Sequence, residues 1–209
     1  MEIGLVPKYG DRRRIRVGLL GGSFNPAHEG HRHVAELAMR RLRLDQVWLL
    51  VSPGNPLKPA NGMAPFGDRL ASAVRIADGR RLIATGIEVA FRTRYTVDTM
   101  RLLLRRFPAV RFVWIMGADI LEQLPRWRRW PDIVRRLAFV VVPRPSYSHR
   151  ALAGQATHRL RAERRPAREA ALLPGTWPGW AFLPGRQTAV SATAIRQAAR
   201  LHADEGHVP

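Results

Sequence analysis

Two histidines three residues apart, His28 and His31, lie in the run Gly21-Gly22-Ser23-Phe24-Asn25-Pro26-Ala27-His28-Glu29-Gly30-His31. Imidazoles at that spacing can point into one space. Gly30 leaves room between them, and the paired glycines let backbone N–H groups approach an anion closely. Where such a run follows a strand and opens a helix, the helix start adds a partial positive charge, and the combination suits a phosphate group. It is neither the dinucleotide fingerprint GxGxxG nor a Walker loop, because the spacing and the lysine of those patterns are missing. A metal pair is the competing chemistry, but it calls for a carboxylate or a third imidazole close by, and Glu29 would face away from both rings. The plain alternative is a Gly-Pro turn with one capping and one exposed histidine.

Near the other end, Ser191-Ala192-Thr193-Ala194-Ile195-Arg196 offers an N-cap serine and then Thr193 and Arg196 on one face of a helix start. Hydroxyl and guanidinium so placed make a phosphate clamp; the alternative is a capped surface helix with a solvated arginine. Asp119 could simply cap the helix that follows it. Arg69, on a predicted helix, either reaches a substrate phosphate or is solvated. Trp127 and Trp130 are three apart, and taken alone that pair reads as packing. His33, His149, His158, His202 and His207 are assigned no chemistry.

These residues need a frame. Arg16–Leu20 is a short apolar run stopped by Gly21-Gly22 and reads as a buried strand, with a helix over His31–Leu44. Gln46–Val51 reads as a second buried strand, after which Pro53, Gly54, Pro56 and Pro59 force a loop. Helices are predicted near Phe66–Ala77 and Thr96–Arg106, and strands near Arg81–Gly86 and Val110–Met116. Two short helices follow between Ile120 and Leu137, then a strand at Ala138–Val142 and a long polar helical region over His149–Leu172. A short strand near Trp180–Leu183 and a closing helix over Ala192–Leu201 complete the chain. The alternation implies a parallel sheet with helices on both faces. Ligands of such a sheet sit beyond the carboxyl ends of its strands, near the point where strand order reverses. The loops that matter are therefore Gly21–His31, Ser52–Pro59, Gly86–Thr96, Gly117–Asp119, Pro143–Pro145 and Val190–Arg196.

The composition of the 209 residues, 46% hydrophobic and 24% charged, excludes a disordered tail, a collagen-like repeat and a disulfide scaffold, and cysteine is absent. With no internal repeat and no linker, one domain over residues 1–209 is expected, with 1–15 and 202–209 as mobile ends. No run is long enough to span a membrane and Met1–Arg16 lacks the apolar core of a secretory signal, so a cytoplasmic protein is expected. The net charge is +19, yet only Lys8 and Lys58 are lysines and the arginines are spread along the whole chain. That favours a solvated basic surface over a dedicated nucleic-acid footprint; a basic RNA-binding protein is the alternative from another functional class.

Gly22-Ser23-Phe24-Asn25-Pro26 through His28-Glu29-Gly30-His31, with Ser191-Ala192-Thr193-Ala194-Ile195-Arg196, resembles the paired signatures of the nucleotidylyltransferase superfamily. The segments between narrow the resemblance to bacterial nicotinate-mononucleotide adenylyltransferases. Asn55-Pro56-Leu57-Lys58 resembles their proline loop with lysine, Arg94-Tyr95-Thr96-Val97-Asp98-Thr99 their SYTxDT segment, and Ile115-Met116-Gly117-Ala118-Asp119 their GAD strand end. Leu124-Pro125-Arg126-Trp127 is similar to their tryptophan segment, and Pro143-Arg144-Pro145 to their RPG turn.

The resemblance implies a Rossmann-like doubly wound fold and transfer of AMP from ATP to nicotinate mononucleotide, giving deamido-NAD and pyrophosphate. His28 and His31 would contact the ATP phosphates beside Gly21, Gly22, Ser23 and Phe24, with Ser191, Thr193 and Arg196 on the other side and His28, His31 and Arg196 stabilising the transition state. Gly117 and Asp119 would hold adenosine. Lys58 and Arg69 would meet the phosphate of the mononucleotide, Trp127 would stack on its ring, and Tyr95 and Thr96 would face its carboxylate. Mg²⁺ would be bound mainly through ATP oxygens, with no protein metal site. Nicotinamide mononucleotide or phosphopantetheine are the alternative acceptors, and a homo-oligomer is left open. Asn25, Arg94 and Ala192 depart from the pattern, which usually has aspartate, serine and serine there. Arg94 adds positive charge beside the presumed carboxylate site, which would favour the acid over the amide.

Overall fold

The computed structural model describes residues 6–54, 62–144, 147–185, 192, 195 and 196. Seven described strands, all parallel, form one sheet in the order β3-β2-β1-β4-β5-β7-β6. They are β1 (Arg16–Gly22), β2 (Gln46–Val51), β3 (Leu82–Thr85), β4 (Arg111–Gly117), β5 (Ala138–Val142), β6 (Arg164–Arg165) and β7 (Trp180–Phe182). Strands buried on both faces read as continuous apolar runs, which is why β2 and β5 end where the sequence places them.

Eight helices are described: α1 (Glu29–Leu42), α2 (Phe66–Ile76), α3 (Ile87–Phe91), α4 (Thr96–Arg106), α5 (Ala118–Gln123), α6 (Trp130–Val134), α7 (Ser148–Leu152) and α8 (Gln155–Arg159). Two apolar clusters cover the two faces of the sheet. One takes Leu37, Ala38 and Leu42 of α1 with Leu70 and Ala73 of α2; the other takes Met100 and Leu103 of α4, Leu121 of α5 and Ile133 of α6. No described helix is long and apolar enough to cross a membrane.

Several expectations need correction. β1 does not stop before the glycines but runs through them, because Gly21 and Gly22 pair with Leu50 and Val51 of β2. α1 begins at Glu29, two residues early, since His28 rather than a later residue caps it. The presumed loop Gly86–Thr96 contains α3, five residues long and too short to show a period. The long helix over His149–Leu172 is instead α7, α8, the two-residue β6 and a 3-10 turn at Ala167–Leu172, broken around Gly154 and Pro166. Val6, in the lead-in expected to be mobile, is buried in the α4 side of the core, and Arg106 Nη1 donates to Lys8 O at 2.6 Å. Residues 202–209 lie outside the described residues.

Candidate active site

Strand order reverses between β1 and β4, and the chain leaves these two strands toward opposite faces, α1 packing on one and α5 on the other. In a sheet of this kind the crevice for a ligand is expected beyond their carboxyl ends. Its β1 wall is made by the turn from Gly21 to His28. A Cβ on Gly21 would meet nothing within 4 Å, so the strand ends in open space where a ligand can approach the backbone. Phe24 takes a left-handed backbone (φ 48°), which a bulky residue tolerates only when its surroundings hold it; its ring is 1% exposed and lies 4.8 Å from that of His31.

The two histidines cap α1 reciprocally. His28 Nδ1 accepts from Gly30 N at 3.1 Å, and His31 Nδ1 accepts from His28 N at 3.2 Å, with ring centroids 4.0 Å apart. Neither is the exposed histidine of the plain alternative: His28 is buried and His31 half-buried. A backbone amide can only donate, so each Nδ1 is unprotonated and each neutral ring carries its proton on Nε2. The capping box thus fixes both tautomers and turns both rings into donors at Nε2. Burial, helped by the Arg144 charge and opposed by Glu29, lowers the His28 pKa. Burial, then the His28 and Arg144 charges, push that of His31 down to about 3. Both rings are therefore neutral donors near pH 7.

Arg196 reaches this turn from the far end of the sequence, its Nη1 donating to Asn25 O at 2.6 Å. The Asn25 side chain donates to Gly62 O at 2.8 Å and accepts from Ala64 N at 3.1 Å. An aspartate could not make the first of these bonds, so the amide suits the loop it ties down. Arg69 is not solvated: it is 2% exposed and donates to Ala64 O, Ser23 O, Ser52 O and Pro53 O at 2.7–3.2 Å. Four of its five N–H groups go to backbone carbonyls, which makes it the tie between the loops after β1 and β2 and the start of α2. Lys58, Ser191 and Thr193 lie outside the described residues.

The opposite wall comes from β4 and β5. Gly117 occupies the N-cap position of α5 and no side chain caps that helix, so Asp119 is not the cap. A Cβ on Gly117 would collide with Asp119 Oδ1 and stand 2.9 Å from Arg144 Nε; only glycine lets those two side chains converge there. Asp119 Oδ1 and Arg144 Nε are 3.8 Å apart, both buried and without a hydrogen-bond partner among the described residues. Trp127 packs 5.5 Å from Trp114, and its indole N–H is likewise buried and unpartnered there. Trp127 and Trp130 do not share a helix, since Trp127 is extended and Trp130 begins α6. Tyr95 precedes Thr96, the first residue of α4, and its ring carries the Arg128 guanidinium at 4.7 Å and that of Arg94 at 6.0 Å.

The structure thus gathers His28, His31, Arg196, Gly21, Gly22, Ser23 and Phe24 at β1, and Gly117 and Asp119 at β4; Tyr95, Thr96 and Trp127 stand on the α4–α6 side. Arg144, quoted from the sequence only within Pro143-Arg144-Pro145 and given no role, acts electrostatically on both histidines, and Arg128, not singled out from the sequence, lies over the Tyr95 ring. Arg144 had a signal, its place in the loop after β5; Arg128 had none, because its partner Tyr95 is remote in sequence.

A family model described as Cytidylyltransferase-like matches residues 19–198. The chain is 56% identical over 195 residues to a probable nicotinate-nucleotide adenylyltransferase of Gluconacetobacter diazotrophicus, covering 93% of this chain and 91% of that protein. It is 55% identical to a protein of the same description from Gluconobacter oxydans, covering 91% and 98%. Among solved structures it is similar to the Plasmodium falciparum nicotinic acid mononucleotide adenylyltransferase complexed with NaAD, with a TM-score of 0.65 at 14% identity over 88% of this chain and 83% of that one. At that identity the structural match speaks for the fold.

Proposed function

The chain belongs to the cytidylyltransferase-like family, and from that premise we propose that it transfers the adenylyl group of ATP to nicotinate mononucleotide in NAD biosynthesis. The observation that carries the reading is the pair of Nε2–H donors fixed by the α1 capping box, with Arg144 and Arg196 in the same crevice.

A phosphate oxygen of the mononucleotide attacks the α-phosphorus of ATP in line. The P–O bond to the β-phosphate breaks, and pyrophosphate departs with that electron pair, leaving deamido-NAD. No protein nucleophile is required; the work is to align two anions and to meet charge as it develops. His28 and His31 donate to phosphate oxygens without first taking up a proton, and Arg144 and Arg196 add fixed positive charge. Gly117 and Asp119 hold the adenosine, and Lys58, Thr96 and Trp127 take the mononucleotide. Arg69 serves the site by holding its loops.

Among the described residues no three His, Cys, Asp or Glu side chains converge as a metal cage, and Asp119 Oδ1 is an unpartnered oxygen donor at the crevice. A site without such a cage fits Mg²⁺ carried in on ATP oxygens and water, which leaves the Asp119 oxygen to the adenosine. The ion would neutralise charge on the phosphates. ATP as substrate points to a cytoplasmic location.

Arg94 and Arg128 on the Tyr95 ring favour an acceptor with a carboxylate over nicotinamide mononucleotide or phosphopantetheine. Pyrophosphate release with ATP, Mg²⁺ and each of the three acceptors tests this. Release is expected with nicotinate mononucleotide and to fall about 10²- to 10³-fold in His28→Ala, the loss typical of one aimed donor. Equal release with phosphopantetheine, or an unimpaired variant, overturns the assignment.

A further inference from the structure

A cavity of about 790 Å³ lies at the amino ends of the strands, away from the candidate active site. Arg16 begins β1 and Arg111 begins β4, and both line it. β1 spans seven residues, so this edge stands about 20 Å from the catalytic turn. The two arginines are register partners on adjacent strands. Like charges so placed repel, and Arg136 and Arg165 add two more to the same cavity. None of the four has a carboxylate within ion-pair distance among the described residues. Two carboxylates are near: Glu169 in the wall, 3.9 Å from Arg168, and Asp45, which accepts from Arg16 N at 2.7 Å in an adjoining hollow. Charge at this edge remains strongly positive.

The rest of the lining is apolar apart from Thr176. Of the five large hydrophobic side chains exposed among the described residues, Leu172 (69%) and Trp177 (54%) both stand here. Arginine forks bind phosphate oxygens pairwise, and an exposed indole is a stacking surface for a flat ring. The volume falls within the range of small-ligand sites and is far larger than one phosphate needs. We propose that this cavity binds a nucleoside polyphosphate, its phosphates on Arg16, Arg111, Arg136 and Arg165 and its base on Trp177.

Equilibrium dialysis of labelled ADP against the full chain gives the count. Two nucleotides per chain are expected, one at each edge of the sheet; the one at the catalytic edge rests on the function proposed above. Arg111→Gln with Arg136→Gln should remove one and leave pyrophosphate release intact. Trp177→Ala should weaken the same site about fivefold or more, the loss typical of one stacked base. Because Gly175 packs on the Arg111 side chain, the exposed Trp177 also guards against a folding artefact. Inorganic tripolyphosphate should compete for this site, and adenosine, which offers only the stacking base, far more weakly. One nucleotide per chain that survives all three substitutions overturns the proposal. One nucleotide that the substitutions abolish upholds it and counts against the catalytic reading instead. An RNA oligonucleotide that binds these residues when ADP does not also overturns it.

Discussion

Replacing Arg69 by methionine separates two roles for a buried cation. In the structure its guanidinium makes four hydrogen bonds of 2.7–3.2 Å to carbonyls of Ala64, Ser23, Ser52 and Pro53. A bond from a charged donor contributes about 1.5–3 kcal/mol, but the four share one group and do not add. Against them stands the desolvation of a cation with no carboxylate beside it, several kcal/mol in sign opposite, which also lowers the Arg69 pKa. Methionine removes both terms and leaves four carbonyls short of a donor. A net loss of about 3 kcal/mol is expected, which for a chain of this size lowers Tm by about 9 °C. Because Ser23 and Ser52 sit in the loops that shape the crevice, kcat/KM should fall at least about tenfold even well below the melt. Arg69→Lys should restore little, since one ammonium cannot span four carbonyls. Thermal melts paired with pyrophosphate release decide the matter. A raised KM for the mononucleotide with Tm unchanged would show that Arg69 acts on substrate, and the reasoning from its carbonyl contacts would be refuted.

Titration makes a second prediction. Below its ordinary value of 6.5 the unfolded His31 binds a proton that the native ring refuses down to about 3, so this group destabilises the fold as pH falls through that window. Glu88 acts oppositely: burial pushes its carboxyl up to about 7, so between 7 and its ordinary 4.5 the native state holds the extra proton. Each contributes a slope of about 1.4 kcal/mol per pH unit, so removing Glu88 by Glu88→Gln should make urea-unfolding stability fall more steeply from pH 6.5 to 4.5, and identical slopes would refute the assignment. Gly117→Ala should raise KM for ATP several-fold by forcing Asp119 and Arg144 apart, with KM for the mononucleotide little changed. Arg94→Ser should reduce the acid-to-amide preference in pyrophosphate release; an unchanged ratio would remove Arg94 from specificity.

What could be read in the sequence was set by the range of the interactions. Gln46–Val51 and Ala138–Val142 needed only local apolar runs, and both strands end there. The start of α1 was misplaced by two residues because the reciprocal caps of His28 and His31 that fix it are side-chain contacts no periodicity encodes. Arg69 read as a contact to substrate phosphate or as a solvated residue because its acceptors are up to 46 positions away, and no periodicity encodes four carbonyls converging from the connections after β1 and β2. The spacing of His28 and His31 was legible as two imidazoles sharing one space, but the tautomer that makes both rings donors needed the amide contacts.

The sheet thins toward its margins, from seven residues in β1 and β4 to four in β3 at one side and two in β6 at the other. The short outer β6 consists of Arg164 and Arg165, both exposed. Long flat margins recruit further strands from neighbouring molecules, whereas abbreviated margins bearing charge discourage it. Self-association by sheet extension, and the fibrous aggregation it leads to, is therefore disfavoured from the β6 side.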